Sequence, residues 1–184
     1  MGVWVCVVVA LFVLGSIMAL MPSARARQLD ALRMTARRIG LQPKLVACPD
    51  WLVQQLNKQP NPPTDKMVAQ YGCLIEGARL PACDFLAVDG RWQLAAHWQA
   101  FAQTEPSMTN KFLLNNALNG ASIDLPTNIA QHALGLSVQA NFIALYWREN
   151  LDASPATLET RTNDLIQLKT DLQHYADLLH NGAI

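Results

Sequence analysis

The stretch CDFLAVDGRWQLAA, residues 83–96, carries the clearest fold signal of the chain. Asp89-Gly90 is a pair that two-residue hairpin turns favour. A turn at this pair sets Val88 opposite Arg91 and thereby fixes the register of both strands. In that register the apolar side chains share one face, and these are Phe85, Ala87, Trp92 and Leu94. The stretch therefore predicts an antiparallel β-hairpin.

Further strands and helices are predicted on both sides of this hairpin. The alternating or β-branched pattern that is typical of strands recurs at residues 44–48, 67–75, 134–138 and 142–147. The last two of these form a second predicted hairpin, in which the chain reverses at Ala140-Asn141. Helical segments are predicted at 50–56, 110–118 and 155–180, and the proline-rich run 59–64 predicts a loop within the domain. The pattern predicts an α+β fold, with an antiparallel sheet of about five or six strands packed with helices.

The last predicted helix, residues 155–180, opens at Ser154-Pro155, where serine caps the helix and proline occupies its first turn. Its apolar side chains recur at three- and four-residue spacing, and they are Leu158, Leu165, Leu168, Leu172, Tyr175 and Leu179. This stripe predicts packing on the domain's own sheet. A coiled-coil homodimer is the alternative, although the seam covers only about two heptads and contains Arg161.

The N-terminal segment 3–21 contains no charged side chain. As a helix it covers roughly 29 Å, close to the thickness of a bilayer's hydrocarbon core. We therefore expect a transmembrane anchor. Gly15 and Ala19 form a small-x-x-x-small pair that predicts close packing of another helix within the membrane.

The charges behind this segment predict its orientation. Residues 22–45 contain six basic side chains against the single acid Asp30. Short flanks rich in Lys and Arg stay on the cytoplasmic side, which predicts an N-terminus outside and a cytoplasmic C-terminal domain at a bacterial inner membrane. The alternative is a secretory signal peptide cleaved at Ala26, because Ala24-Arg25-Ala26 fits a small-x-small cleavage pattern.

Residues 22–41 predict a basic amphipathic helix directly after the anchor. Its apolar stripe consists of Leu29, Leu32, Ala36 and Ile39, and Gly40 ends it. Two interpretations remain open, in which the stripe packs on the domain or the helix lies on the membrane. In either case we expect membrane-surface contacts from the arginines, namely Arg25, Arg27, Arg33, Arg37 and Arg38.

Charge and cysteine usage limit the partners of the chain. Residues 46–184 contain eight basic and thirteen acidic side chains, a poor profile for nucleic-acid binding. The basic part lies beside the anchor, as expected for a domain that faces an anionic leaflet. Cys48, Cys73 and Cys83 cannot all pair within one chain and lack C-x-x-C spacing, which favours reduced, buried thiols.

The sequence contains no motif that assigns a chemical reaction. It has no glycine-rich phosphate loop, no G-x-S-x-G elbow and no H-E-x-x-H. His97 and His132 are isolated, and we interpret Asp84 and Asp89 as turn and strand-end residues. We predict no catalytic, cofactor-binding or metal-ligating residue, no cofactor, and a protein that is not an enzyme.

Two runs resemble a bacterial group of uncharacterised single-pass membrane proteins. They are GSIMALMPSARAR at residues 15–27, continuing to RIGL at 38–41, and LYWRE at 145–149. Members are sometimes labelled as similar to YajC, an accessory subunit of the preprotein translocase. The similarity to YajC covers about the first 45 residues and implies an anchor followed by a basic helix. The glycine-rich β domain expected next in YajC is missing here. No functional residue carries over, because the matching segment is an anchor and not a site.

Three segments and three hypotheses of function follow. The segments are a transmembrane anchor at 3–21, a basic juxtamembrane helix at 22–41 and a soluble α+β domain at 42–184. The first hypothesis is a non-enzymatic accessory or scaffold protein that presents this domain to a membrane complex through an unidentified membrane-protein partner. A membrane-anchored sensor for a small ligand or an anionic lipid is the alternative, and a tethered enzyme is the third.

Overall fold

The computed structural model describes residues 2–20, 23–56, 67–104, 118–149 and 158–181, with the side chains of the first helix described as far as Ser16. Its helices are α1 (Gly2–Leu20), α2 (Ala24–Arg38), α3 (Asp50–Leu56), α4 (Ala96–Thr104), α5 (Thr127–Ala130) and α6 (Leu158–Asn181). Its strands are β1 (Gln42–Ala47), β2 (Met67–Leu74), β3 (Leu80–Val88), β4 (Arg91–Leu94), β5 (Ala133–Ala140) and β6 (Phe142–Trp147).

The strands form one six-stranded sheet in the order β1-β2-β6-β5-β3-β4, in which every neighbouring pair is antiparallel. The predicted α+β fold with an antiparallel sheet of five or six strands is therefore confirmed. The β3–β4 hairpin has the predicted register, with Val88 opposite Arg91 and Phe85 opposite Leu94. Its turn places Asp89 at φ 50° and Gly90 at φ 72°, the left-handed region that a two-residue turn requires.

The second hairpin, β5–β6, also forms where the sequence predicts it. Its strands reverse at Ala140, which takes a positive φ of 52°. Leu136 pairs with Leu145 and Val138 pairs with Ile143, so large apolar side chains lie side by side on one face. The two hairpins meet along β3 and β5 and together form four adjacent strands of the sheet, with β4 at its edge.

The main hydrophobic core lies on one face of the sheet, beneath α2 and α6. The predicted stripe of α6 enters this core, where Leu165, Leu168, Leu172, Tyr175 and Leu179 are buried. Packing of this helix on the domain's own sheet is confirmed. Because these side chains are buried against the sheet, they are not available to the seam of a coiled coil.

A smaller cluster covers part of the opposite face and consists of Leu52, Val68, Leu134 and Tyr146. Helix α3 supplies Leu52 and also Trp51, whose ring meets Tyr146 edge to face with centroids 5.6 Å apart. Two glycines accommodate aromatic rings on this face. A Cβ at Gly135 would approach Trp51 to 2.8 Å, and a Cβ at Gly72 would approach Phe142 to 2.2 Å.

The outer edge of β4 is covered by backbone from residues 120–123. Trp92 donates its N–H to the carbonyl of Ala121 at 2.9 Å, and Ile123 donates to that of Gly90 at the same distance. The amide of Gly120 donates to Trp92 O at 2.7 Å. These bonds satisfy backbone groups that an edge strand leaves unpaired.

The structure differs from the sequence-based expectations within the β3–β4 hairpin and directly after it. Strand β4 ends at Leu94 and α4 begins at Ala96, so the hairpin is two residues shorter than predicted. Asp89 lies in the turn as expected, but Asp84 lies inside β3 rather than at a strand end, so the interpretation of Asp84 was wrong. The predicted loop at 59–64 and the predicted helical residues 110–117 and 155–157 lie outside the described residues.

Among the described residues, no helix combines the length and the hydropathy that crossing a bilayer requires.

Candidate functional site

Helix α2 has an N-cap and a C-terminal stop that its sequence specifies. The Ser23 hydroxyl accepts a hydrogen bond from Ala26 N at 3.1 Å, which satisfies one of the free amides of the first turn. At the other end Gly40 adopts a φ of 91°, and Lys169 Nζ donates to the carbonyl of Ile39 at 2.8 Å. A cation at this position is favourable because the C-terminal carbonyls carry partial negative charge.

The apolar stripe of α2 faces the core. Leu32 and Ala36 are buried in the same cluster as the sheet and α6, with Ile39 packed against it. Of the two interpretations, the structure therefore confirms the one in which this stripe packs on the domain. Because the stripe is buried, the opposite side of α2 is the side that carries exposed polar groups.

Arg33 lies on the flank of α2 and binds Glu149, the second residue after β6. Its Nε donates to Glu149 Oε1 at 3.1 Å, and a second guanidinium nitrogen donates to Oε2. The Tyr71 hydroxyl donates to Oε1 at 2.7 Å. The side chain of Glu149 is 7% exposed and that of Arg33 is 28% exposed. This bidentate pair ties α2 to β2 and β6.

The surroundings of this pair change two pKa values. The hydrogen bonds to Glu149 raise the pKa of Arg33 above its ordinary value. Burial raises the pKa of Tyr71, and the charge of Glu149 raises it further. Tyr71 also packs edge to face on Trp147, with ring centroids 5.4 Å apart. Tyr71 therefore stays protonated and serves as a donor to the carboxylate.

The outer face of α2 carries the remaining arginines. Arg27 and Arg38 are exposed and eleven residues apart, which at 3.6 residues per turn places them on nearly one line along the helix. Met34 lies between them and is 49% exposed. Arg37 is exposed and contacts the Met34 sulfur at 3.8 Å. The result is a basic face with one apolar side chain at its centre.

The predicted membrane-contact residues thus separate into two groups. Arg33 is committed to Glu149 within the fold, whereas Arg25, Arg27, Arg37 and Arg38 are exposed. Their contact with a membrane stays a prediction. At Gly15 an added Cβ would meet nothing within 4 Å. The side chain of Ala19 lies outside the described residues, so the predicted packing at this pair stays a prediction as well.

A second polar cluster lies at the junction of β3 and α4. The carboxylate of Asp84 accepts a hydrogen bond from Trp98 Nε1 at 2.9 Å and lies 3.2 Å from His97 Nε2. The backbone carbonyl of Asp84 accepts from Ala95 N at 2.8 Å. Asp84 therefore holds the first turn of α4 against the sheet. The imidazole of His97 is about half exposed, so it lies at the solvent edge of this cluster.

Polar side chains continue from Asp84 across the same face of the sheet. Ser137 pairs with Asp84 across the β3–β5 ladder, and Tyr146 accepts a hydrogen bond from Gln70 at 3.0 Å. Burial raises the pKa of Tyr146, with a smaller contribution from Asp84. The other isolated histidine, His132, is half-buried. Its backbone carbonyl accepts a hydrogen bond from Arg148 N at 2.9 Å.

The described cysteines are free thiols, as the sequence predicts. Cys73 and Cys83 are buried in the main core, and burial raises their pKa values to about 11 and about 12. Burial also raises the pKa of the half-buried Cys48. Thiols that are buried and protonated react slowly. Within the described ranges, no three His, Cys, Asp or Glu side chains converge as metal ligands.

Sequence reasoning missed both polar clusters for the same reason. Arg33 and Glu149 are separated by 116 residues, and no local spacing links them. Asp84 and Trp98 lie fourteen residues apart, but their contact depends on where α4 begins after β4. Nothing in the sequence around Glu149, which follows Arg148 at the end of an apolar strand, points to a partner on α2.

No protein-family model, curated protein or solved structure matches this chain. The similarity of its first 45 residues to YajC-like proteins therefore stays a prediction.

Proposed function

We propose that this protein is a single-pass membrane protein whose segment 3–21 anchors a non-enzymatic accessory domain beside a membrane complex. The observation that carries the proposal is the surface of α1. Ten of its large apolar side chains, from Val3 to Leu14, are between 43% and 78% exposed. A helix that is apolar on all sides is unfavourable in water and is stabilised by lipid or by apolar partners.

The arginines behind the anchor support one orientation. Arg25 and Arg27 are exposed in the first turn of α2, and Arg37 and Arg38 are exposed in its last turn. Basic side chains so close to a span retain it with that end in the cytoplasm. We therefore place the α+β domain on the cytoplasmic side of a bacterial inner membrane and the N-terminus outside.

The use of the buried polar groups supports an accessory role rather than catalysis. Glu149, the most buried carboxylate of the two polar clusters, is saturated by Arg33 and Tyr71. Asp84 is occupied by Trp98 and His97. Groups that hold elements together in this way have little capacity left to act on a substrate. The resemblance of residues 1–45 to YajC-like proteins points in the same direction.

The proposal predicts a stable assembly in the membrane. Membranes carrying the tagged full-length chain are solubilised in a mild detergent and separated by native electrophoresis, and co-migrating proteins are identified by mass. We expect the chain in a band larger than its detergent-bound monomer, together with an integral membrane protein at fixed stoichiometry. A chain that migrates only as a monomer, in a detergent that preserves other complexes, would contradict the accessory role.

A matched pair of variants locates the contact. Gly15→Leu fills the open surface at Gly15, and Val13→Leu changes a neighbouring exposed position of α1 by a single methylene. If the small-residue face binds the partner, Gly15→Leu reduces the large band and Val13→Leu leaves it unchanged. If both variants retain it, the α+β domain carries the contact.

A further inference from the structure

The outer face of α2 combines exposed arginines with an exposed apolar side chain. Arg27 and Arg38 lie on one line of the helix, Arg37 lies beside them, and Met34 lies between. The acid on this side is Asp30, which is also exposed, so the face keeps a net positive charge. Basic groups around an apolar side chain match the chemistry of a lipid headgroup layer, which offers phosphates above an apolar interior.

The chain connectivity places this face close to the end of α1. Helix α1 ends at Leu20 and α2 begins at Ala24. Four peptide steps span at most about 14 Å even when fully extended. The headgroup layer on each side of a bilayer is roughly 5–8 Å thick. If α1 lies in a membrane, the first turn of α2 therefore lies at or near the headgroups.

The packing of α2 decides which side of the helix can meet that layer. Leu32 and Ala36 are buried in the core, and Arg33 is fixed by Glu149 on the flank. The stripe and one flank are thus occupied by the domain. The side that remains exposed is the one that carries Arg27, Met34 and Arg38.

We propose that this outer face of α2 docks on anionic lipid headgroups and holds the domain flat against the membrane. The proposal rests on the membrane anchor proposed above and adds the partner of the juxtamembrane helix. Arg27, Arg37 and Arg38 bind lipid phosphates, and Met34 enters the layer between them. Arg33 takes no part, because its guanidinium is bound by Glu149.

Methionine oxidation tests this docking at one side chain. Met34 and Met67 are almost equally exposed, at 49% and 47%, and Met67 lies on β2 rather than on α2. The full-length chain is reconstituted in nanodiscs of phosphatidylcholine alone or of phosphatidylcholine with phosphatidylglycerol. Peroxide is added, and sulfoxide formation at each methionine is followed by mass spectrometry. Met67 serves as the internal reference in every sample.

We expect the oxidation rate of Met34, relative to that of Met67, to fall by roughly fivefold or more in the anionic discs. One arginine near an anionic surface strengthens binding to that surface by about that factor. About 1 M salt should reverse the effect, because it screens exposed charges to about 3 Å. The variant R27Q/R37Q/R38Q should oxidise at the same relative rate in both discs. The control K44Q/R79Q/R91Q removes the same charge from exposed positions outside α2 and should keep the lipid dependence.

The outcomes separate this inference from the anchor. Equal oxidation of Met34 in both discs, with the chain still inserted, overturns the docking and leaves the anchor intact. Equal protection of Met34 in both discs also overturns it, because a protein contact or apolar burial would then cover the face. A chain that does not enter discs of either composition overturns the anchor and the docking together.

Discussion

At the scale of single residues, Glu149 decides how α2 is held. Its carboxylate accepts from Arg33 and Tyr71 while its side chain is 7% exposed. Removing the charge leaves the partly exposed guanidinium of Arg33 without its anionic partner, and breaking a buried pair costs more than forming it gains. The residue therefore matters for stability although it lies outside any regular element.

Glu149→Gln should lower the free energy of unfolding of the chain by about 2 kcal/mol, because the amide cannot replace the bidentate charged bond to Arg33. Denaturant unfolding in detergent micelles, followed by tryptophan fluorescence, measures the change. The control is Glu76→Gln, which neutralises an exposed acid in a turn and should stay within about 0.5 kcal/mol of the unchanged chain. Equal effects of the two substitutions would contradict the account.

The buried thiols predict a loss of stability at alkaline pH. Burial raises the pKa of Cys83 from 9.0 to about 12 and that of Cys73 to about 11. Between about pH 9 and pH 11 the unfolded chain releases these protons and the native chain keeps them. Unfolding is then favoured as pH rises, with a slope of up to about 1.4 kcal/mol per pH unit for each thiol.

Cys83→Ala should therefore reduce the fall of the unfolding free energy between pH 9 and pH 11, whatever its effect at neutral pH. The control Ser122→Ala, at an exposed position whose side chain does not titrate in this range, should leave the slope unchanged. Burial of Tyr71 adds to the slope in both variants, so the comparison between them isolates the thiol. Identical slopes for Cys83→Ala and the unchanged chain would show that Cys83 does not titrate as proposed.

At the scale of elements, two glycines show how the sheet accommodates aromatic rings. The atoms nearest to a Cβ at Gly72 all belong to the ring of Phe142, with Cζ at 2.2 Å. A Cβ at Gly135 would meet the carbonyl oxygen of Phe85 and the ring of Trp51, both at 2.8 Å. The first obstacle is a side chain that can be removed, whereas the second includes backbone of the neighbouring strand.

Double-mutant cycles should separate the two positions. Gly72→Ala should destabilise the chain by about 2 kcal/mol, and most of this cost should vanish when Phe142→Ala removes the ring. Gly135→Ala should keep most of its cost in the Trp51→Ala background, because the Phe85 carbonyl remains. Denaturant unfolding of the four variants and both pairs measures the coupling. Equal coupling in the two pairs would contradict the described geometry.

The helices and strands differ in how far the sequence alone predicts them. The β3–β4 hairpin was predicted to the residue pair, because Asp89-Gly90 fixes the turn and alternation then assigns the faces. The stripe of α6 was predictable because its period is local. The order of the strands was not predictable, since β6 inserts between β2 and β5 through contacts that no spacing in the chain records.

At the scale of the whole molecule, an exposed apolar helix precedes a domain whose amphipathic helices bury their apolar stripes. The apolar stripes of α2 and α6 are buried against the sheet, whereas the apolar side chains of α1 are exposed. The sequence separates these cases, because α2 and α6 are amphipathic while the segment 3–21 is apolar all round. The ion pair between Arg33 and Glu149 could not be predicted, because the two residues are brought together only by the tertiary structure.

The orientation predicts the behaviour of reporters fused after Ile184. A fluorescent protein there should be bright and alkaline phosphatase inactive, because the proposed orientation places that side in the cytoplasm. Whole-cell fluorescence and phosphatase activity, normalised to the amount of fusion protein, measure the two states. Active phosphatase with a dark fluorescent protein would reverse the proposed topology.

The anchor is the central claim, and alkaline carbonate extraction of membranes containing the full-length chain tests it most directly. The unchanged chain should stay in the membrane pellet. The variant L11R/L14R should move to the supernatant, because an arginine near the centre of a span costs about 3 kcal/mol. The control L45R/L74R places the same charges at exposed apolar positions of the sheet and should stay in the pellet. Extraction of the unchanged chain, or retention of L11R/L14R, would contradict the account.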